Sequence, residues 1–419
     1  MKKGQQLILG AILIVLLSVP FPFISACAKP APPAALHEYI IPNYSDVTGP
    51  YSELFRIIVP SQNVVYGWWN ENVGKKIGVK LVNKVYDTRY DAAETASIHA
   101  RAVVSDKPIA ILTGGAPMVL PIMGKVAEQK IVVIHGTCGV SFFHQPAGWV
   151  FSPLRDYATL STGALEWYCE DYWKKPAKPR VVISIFEGVA GKDIAAPVLA
   201  WQKAYPKMEL VFGDIIWHPP TPVELSGLAR KIMEEGKPDM VSFSGTAVST
   251  VAFYSAMKEL GYLHKAPIYT PPYLGLSVLA EMLGADMVEG DFEYNGVDYS
   301  PGTEAHKIFV KNIDKYAPGT PWGSAGSQYS FQVYMLTRAV ERAVEKVGAA
   351  NLTGQALYDE LNKGEFKAAE LYGLTGDIKF NPDDRLAGVD TVYNYQMKGG
   401  KVELLGKRSV SVISLPLKK

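Results

Sequence analysis

The sequence predicts an α/β fold in two lobes, each an open parallel sheet flanked by helices. Three observations predict it. Short apolar runs rich in β-branched residues alternate with longer stretches of helical period. Several of these runs end in Gly, Thr or Ser, the small residues that close tight strand-to-helix turns. Roughly 390 residues follow an apolar leader, too many for one ordinary core and suited to two.

The leader comes first in the chain. MKKGQQLILGAILIVLLSVP pairs Lys2 and Lys3 with an apolar run too short to span a bilayer, followed by Pro20 and Pro22. Residues 1–26 therefore read as a secretory signal. Ile24-Ser25-Ala26-Cys27 resembles a bacterial lipobox, which makes Cys27 a lipid attachment point. Ordinary cleavage near Ala26 is the alternative and leaves Cys27 a bystander. Residues 27–37, with AKPAPPAALHE running one residue beyond them, suit a proline-stiffened tether. The localisation expected is the cell envelope, with the membrane met through the anchor alone, because no second long apolar run follows.

The strands expected next are EYIIPNY, KPIAILTGG, KIVVIHGT, PRVVISIFEG, ELVFGDIIW, PDMVSFSGT and APIYTPPYLG, each of a length to be buried on both faces. Helical periods fill 91–104, 117–128, 157–173, 222–235 and 247–260 between them. Strand, helix, strand at this spacing means right-handed βαβ units. One block of the rhythm ends near Leu154 and another begins near Arg155. Residues 301–347 read as helical, and Gly399-Gly400 marks a hairpin turn between two late strands.

Chemistry leaves few traces. There is no G-x-S-x-G elbow, no P-loop, no G-x-G-x-x-G and no H-E-x-x-H. The seven histidines are scattered. His135 and Cys138 lie close at a strand end, where a nucleophile pair is possible in principle, but a loop of small residues reads better as a binding loop. Asp383-Asp384 in NPDDRL reads as a solvated turn. Cys138 and Cys169 are permitted a disulfide by export, yet fall in elements that need not touch. The expectation is no enzyme, no cofactor and no metal. A net charge of +1 gives no pull toward nucleic acid.

Four strings, taken in order, carry a resemblance. They are YSDVTGPYSEL, the stretch from NENVGKKIGVKL to KPIAILTGG, PDMVSFSGTAVSTVAFYSAMKELGY and GLTGDIKFNPDDRLAGV. Together they resemble the type I periplasmic binding proteins of the branched-chain amino-acid group, receptors of ABC importers. The resemblance implies two Rossmann-like lobes joined by a three-crossover hinge, with a ligand held in the cleft. Lobe 1 would hold 38–154 plus 294–389, and lobe 2 would hold 155–293 plus 390–419. The implied partners are a small-molecule ligand and the permease and ATPase subunits of an importer. A sensor of the same fold is the alternative, and an exported enzyme a more distant one.

Carried over position by position, the family's pocket falls on Tyr44, on Thr113, Gly114, Gly115 and Ala116, on Thr137 and Cys138, on Phe186 and Glu187, on Thr246, and on Tyr273. In the amino-acid binders an acidic residue pairs with the ligand ammonium. Here that segment reads YTPPYLG, so the ligand expected is not a standard α-amino acid, although Glu187 is a possible substitute. Tyr44, Phe142, Phe143, Trp217 and Tyr273 suggest an apolar or aromatic body with a carboxylate or amide.

Overall fold

The computed structural model describes residues 36–136, 148–380, 385 and 391–410. The signal, residues 27–35 of the tether with Cys27, and Thr137, Cys138, Phe142, Phe143, Asp383 and Asp384 lie outside the described residues; His37, the last residue expected in the tether, begins the first strand.

Five strands form the first sheet: β1 (His37–Ser45), β2 (Val79–Asp87), β3 (Ala110–Thr113), β4 (Val132–His135) and β5 (Val150–Phe151). Their order is β2-β1-β3-β4-β5, all parallel. Every residue of β3 and β4 is buried, as continuous apolar runs require when helices cover both faces. Helices α1 (Ser52–Trp69), α2 (Ala92–Asp106), α3 (Ala116–Val119) and α4 (Met123–Gln129) connect these strands. The single helical period expected over 117–128 is broken into two.

The second sheet contains β6 (Arg180–Phe186), β7 (Glu209–Leu210), β8 (Ile216–His218), β9 (Met240–Ser244), β10 (Ile268–Thr270) and β11 (Phe292–Asn295). ELVFGDIIW, expected as one strand, is two. Gly213 takes φ +68 and Asp214 Oδ1 accepts from the Ile215 amide at 2.7 Å, which turns the chain between β7 and β8. Helices α5 (Tyr157–Trp167), α6 (Val189–Ala204), α7 (Ser226–Arg230), α8 (Ala247–Glu259) and α9 (Leu276–Leu283) serve this sheet.

After β11 come α10 (Glu304–Tyr316), α11 (Ser324–Val347), α12 (Gly354–Lys363) and a small antiparallel pair, β12 (Glu365–Phe366) with β13 (Ile378–Lys379). The chain then rejoins the second sheet as a hairpin, β14 (Thr391–Lys398) and β15 (Lys401–Ser409). Gly399 and Gly400 both have positive φ, as a two-residue hairpin turn demands. The second sheet runs β15-β14-β11-β10-β9-β6-β7, with β8 also beside β6.

Helix α11 is unusual. Its first half, SAGSQYSFQVYMLT, is polar in composition yet buried throughout. Gln332 Nε2 donates to the carbonyls of Thr113 and Ile134, so this helix caps the carboxyl ends of β3 and β4. Among the described residues no helix is long and apolar enough to cross a membrane.

Candidate functional site

Parallel sheets direct their strand carboxyl ends, and the turns that follow, toward ligands. Both sheets do so here, and the turns face one another across a cleft. Thirteen of the described residues line it, and the empty space among them is about 490 Å³ with its mouth included. The first lobe supplies Tyr51 from the turn after β1, Phe55 from the start of α1, Tyr90 from the turn after β2, Gly114 to Ala116 after β3, and Tyr329 from α11. The second supplies Tyr157 at the start of α5, Phe186 at the end of β6, Ile194 on α6, and Tyr273 after β10.

The walls are paired rings. Tyr51 and Tyr90 sit with centroids 4.6 Å apart, Phe55 and Tyr329 at 6.2 Å, and Tyr157 and Tyr273 at 5.1 Å. Several hydroxyls are spoken for. Tyr329 donates to the Gly114 carbonyl at 2.9 Å, and Tyr273 shares a 3.0 Å hydrogen bond with Ser244. Burial pushes the Tyr51 and Tyr273 phenols above their ordinary range, so both are neutral at physiological pH. Among the described lining residues there is no Lys, Arg, His, Asp or Glu.

The glycines make the fit possible. A methyl on Gly114 would lie 2.5 Å from the Phe55 ring, and one on Gly115 would lie 2.6 Å from that of Tyr90. Tyr90 itself depends on backbone strain. Arg89 and Tyr90 both adopt positive φ, 53° and 55°, although neither is glycine. Asp87 holds this turn. Its Oδ1 accepts from the Val47, Thr48 and Arg89 amides, and its Oδ2 from the Thr48 hydroxyl at 2.6 Å. Asp46 organises the neighbouring turn, accepting from the Gly49 and Tyr51 amides at 2.6 and 2.7 Å.

The residues expected from sequence divide cleanly. Gly114, Gly115, Ala116, Phe186 and Tyr273 are brought together on the cleft wall. Tyr44 is not: its side chain has no exposure and shares a 3.0 Å hydrogen bond with His99. Thr113 is buried against His135, Oγ1 to Nδ1 2.6 Å, and burial depresses that imidazole to about 3. Thr246 caps α8, accepting from the Ser249 amide while donating to the Pro220 carbonyl. Glu187 is exposed and Trp217, on β8, is 37% exposed; neither lines the cleft. Thr137 and Cys138 lie outside the described residues. Cys169 is buried in the turn after α5, and burial pushes its thiol up to about 12, a poor nucleophile.

Sequence reasoning missed Tyr51, Tyr90, Tyr157 and Tyr329. Tyr51 stands in the quoted string YSDVTGPYSEL and Tyr90 in VYDTRYD, inside the stretch from NENVGKKIGVKL to KPIAILTGG, each a few residues past a strand end. Tyr329 had a fainter signal, a run of Ser, Gln and Tyr in a helix with no room for a solvated face.

Comparison with known proteins agrees with this geometry. A branched-chain amino acid ABC transporter protein from Thermus thermophilus, crystallised with bound valine, superposes with TM-score 0.76 at 18% identity, covering 90% of this chain and 97% of that one. A solute-binding protein of an ABC transporter from Rhodopseudomonas palustris BisB5, in complex with 3,4-dihydroxybenzoic acid, gives 0.72 at 16%, covering 90% and 98%. A fatty acid ABC transporter substrate-binding protein from Thermomonospora curvata gives 0.70 at 19%, covering 92% and 95%. At these identities the likeness is one of fold. No curated protein sequence matches the chain. The family model described as periplasmic binding protein matches residues 39–401, nearly the whole of the described chain. With two parallel-sheet lobes facing across an aromatic cleft, the chain belongs to the periplasmic binding protein family.

Proposed function

We propose that the protein is an extracytoplasmic solute-binding lipoprotein that captures a small organic ligand in the cleft and presents it to an ABC importer. The observation that carries this is the cleft wall, built from the strand ends of both sheets and so completed only when the lobes approach. A ligand touching both walls favours the closed form. The solved structures of similar fold are ABC-transporter proteins by title, which supports an importer with permease and ATPase subunits as partner. The lobes divide as 38–154 plus 294–389 and 155–293 plus 390–419, and Cys27 carries the lipid.

The ligand has a flat apolar body and a carboxylate or amide, and no ammonium group. Rings on both walls support the flat body. Among the described lining residues there is no acidic side chain, which supports the second part, because a buried ammonium without a countercharge costs several kcal/mol. A carboxylate needs no cation if backbone amides and hydroxyls meet it.

Two measurements test the proposal. Mass spectrometry of the protein from its own cells should find an N-terminal diacylglyceryl cysteine, and a Cys27→Ser variant should leave the membrane fraction. Thermal unfolding with benzoate, 4-hydroxybenzoate, benzamide, leucine and valine should show stabilisation by the aromatic compounds alone. At a hundredfold excess over Kd the gain is about 2.7 kcal/mol. For a chain of this size that is about 3 °C. Stabilisation by leucine or valine alone would overturn the ligand reading.

A further inference from the structure

A parallel sheet that turns its carboxyl ends to the cleft turns its amino ends away from it. In the first sheet those amino ends form one outer edge. The strand order sets four stretches along it: the turn before β2 (75–78), the entry of the chain into β1 at Leu36 and His37, the turn before β3 (107–109) and the turn before β4 (130–131). The His37 amide donates to the Gly78 carbonyl at 2.8 Å, which seats the entry beside the first turn. Strands about 4.8 Å apart make this row about 15 Å long. Segment 349–354 closes the edge from the side. The Tyr39 hydroxyl donates to the Ala349 carbonyl at 2.6 Å, and a methyl on Gly354 would collide with the Lys130 carbonyl.

This edge is basic. Lys75, Lys76, Lys107 and Lys130 are exposed on it, and among the described residues none of the four forms a side-chain hydrogen bond or an ion pair. Two acids that could neutralise them are already taken. Glu38 pairs with Lys80 at 2.8 Å, and Asp106 with Lys84 at 2.7 Å. Glu128 and Glu345 stand in the last turns of α4 and α11, which end here, so the four lysines outnumber the acids left to them. Leu36, Val104 and Val347 are exposed at the same end, Val104 by 76%.

Two of the lysines occupy positions that suit glycine. Lys107 follows α2 at φ +46 and Lys130 follows α4 at φ +54. Glycine adopts this left-handed conformation freely, as Gly78 does at φ +77 on the same edge, whereas lysine adopts it at a cost. A cation also complements the carboxyl end of a helix, so each charge has a local reason as well. Lys237 has that same reason and the same conformation, φ +44, at the outer edge of the second sheet. There the neighbouring cations are paired: Lys175 with Asp239, Arg180 with Glu209 and Lys207 with Glu170.

We propose that the amino-end edge of the first sheet is a membrane-facing surface, which rests its lysines on anionic lipid headgroups and stands the cleft about 25–30 Å above them. Lysine ammonium groups are compact charges on flexible stems and suit a fluid headgroup layer that offers no fixed geometry. The exposed apolar side chains among them suit the interface below. The chain enters the fold through this row, and nine residues separate Leu36 from Cys27, at most about 30 Å when extended. A lipid on Cys27 therefore keeps this edge close to the bilayer. The surface rests on the lipoprotein reading for its setting, but its test uses a chain without lipid.

The chain from residue 27 carrying Cys27→Ser is mixed at low salt with an excess of vesicles of phosphatidylcholine, with or without phosphatidylglycerol. Lysine acetylation is then read residue by residue by mass spectrometry. With phosphatidylglycerol present, Lys75, Lys76, Lys107 and Lys130 should react about threefold or more slowly, since each lysine at an anionic surface gains about fivefold in binding. Lys237 should keep its rate, and about 1 M salt should remove the protection. Replacing the four lysines together by glutamine should weaken sedimentation with the anionic vesicles by about tenfold or more, and Lys237→Gln should leave it unchanged. Equal rates on both vesicles, slowing of Lys237 to the same extent, or a fourfold variant that sediments like wild type overturns the surface. The acetylation rates need no variant at these four lysines, so a misfolded fourfold variant does not blunt the test. A Cys27 found without lipid, with the four lysines protected, would sink the lipoprotein reading and leave the surface standing. Lipid on Cys27 with the four lysines unprotected would do the reverse.

Discussion

The turn that carries Tyr90 into the cleft is stabilised by Asp87, and an Asp87→Ala variant should release it. Two terms set the magnitude. Arg89 and Tyr90 each occupy a left-handed conformation that costs a non-glycine residue about 1 kcal/mol or more, roughly 2 kcal/mol for the pair. Against this stand four donors on one carboxylate. The group is partly solvated, so each bond is taken near the lower end of the usual net contribution, about 0.5–1 kcal/mol, and together they contribute about 2–4 kcal/mol. The two terms nearly balance. Without the carboxylate the closed turn loses most of its advantage, and the opened state rises by about 2 kcal/mol, or roughly 30-fold. Arg89 is exposed, and trypsin cuts after arginine only where the backbone opens, so the cleavage rate after Arg89 reads this population directly. Asp87→Ala should be cut there about 30 times faster than wild type, with a fall of only a few degrees in melting temperature. A rate within twofold of wild type would show that Thr88, bonded to the Ser45 carbonyl, holds the turn by itself. Burial raises the Asp87 carboxyl, but its donors outweigh burial and hold it below the ordinary aspartate range. Its contribution is therefore present above the unfolded pKa near 4 and is lost as pH falls through the lower folded value.

Gly115→Ala should force the Tyr90 ring aside, because the new methyl lies 2.6 Å from it, and should cost about 1–3 kcal/mol in urea unfolding. Gly124→Ala is its control, an exposed helical glycine with nothing within 4 Å, which should gain about 0.5–1 kcal/mol; an equal effect at both sites would refute the packing argument. Acid should act on Glu293→Gln more severely than on wild type. Burial lowers the imidazoles of His99, His135 and His218, so unfolding takes up protons there and stability falls as pH drops below about 6.5. Glu293 opposes this, because its raised carboxyl binds a proton in the folded state first, which restores stability as pH falls from 7 toward 4.5. Between pH 7 and 5 the variant should lose about 2 kcal/mol more than wild type, and parallel urea curves at the two pH values would contradict this.

The fold was legible because its signals are local. β1, β3, β4, β6, β9 and β10 stand where apolar β-branched runs stop at small residues, and the hairpin stands at Gly399-Gly400. The split of 209–218 into two strands depended on one glycine turn inside an apolar run, which periodicity does not weigh. The site was legible only in part. Gly114, Gly115 and Ala116 follow a strand and announce themselves. Tyr44 stands on the same kind of strand end, yet its ring turns into the core toward His99, and the strand's alternation alone does not say which face meets the cleft. Tyr329 reaches the cleft from more than 200 residues beyond Gly114, by way of a helix whose polar residues satisfy strand-end carbonyls. Such long-range pairings leave no local pattern.

The division of the wall between lobes fixes what a ligand must do to close the cleft. A ligand held by the first lobe alone binds open and closed forms equally and shifts nothing. Closure must come from the second wall, Tyr157, Phe186, Ala190, Ile194 and Tyr273. Driving an equilibrium from 1:99 to 99:1 takes about 5.5 kcal/mol of differential binding. Three rings at about 0.5–1.5 kcal/mol each, together with about 100 Å² of ligand face covered at about 25 cal/mol per Å², supply about 4–7 kcal/mol. The second wall is therefore just sufficient, and losing one ring should break the switch before it breaks binding. Phe186 suits the test because it is half-buried and stands at a strand end. Phe186→Ala should remove about 2 kcal/mol, weaken the stabilising aromatic compound by roughly 30-fold, and leave scattering from the loaded protein close to that of the empty one. If the variant binds weakly yet compacts fully, closure is driven from elsewhere, and the second wall is only a cover.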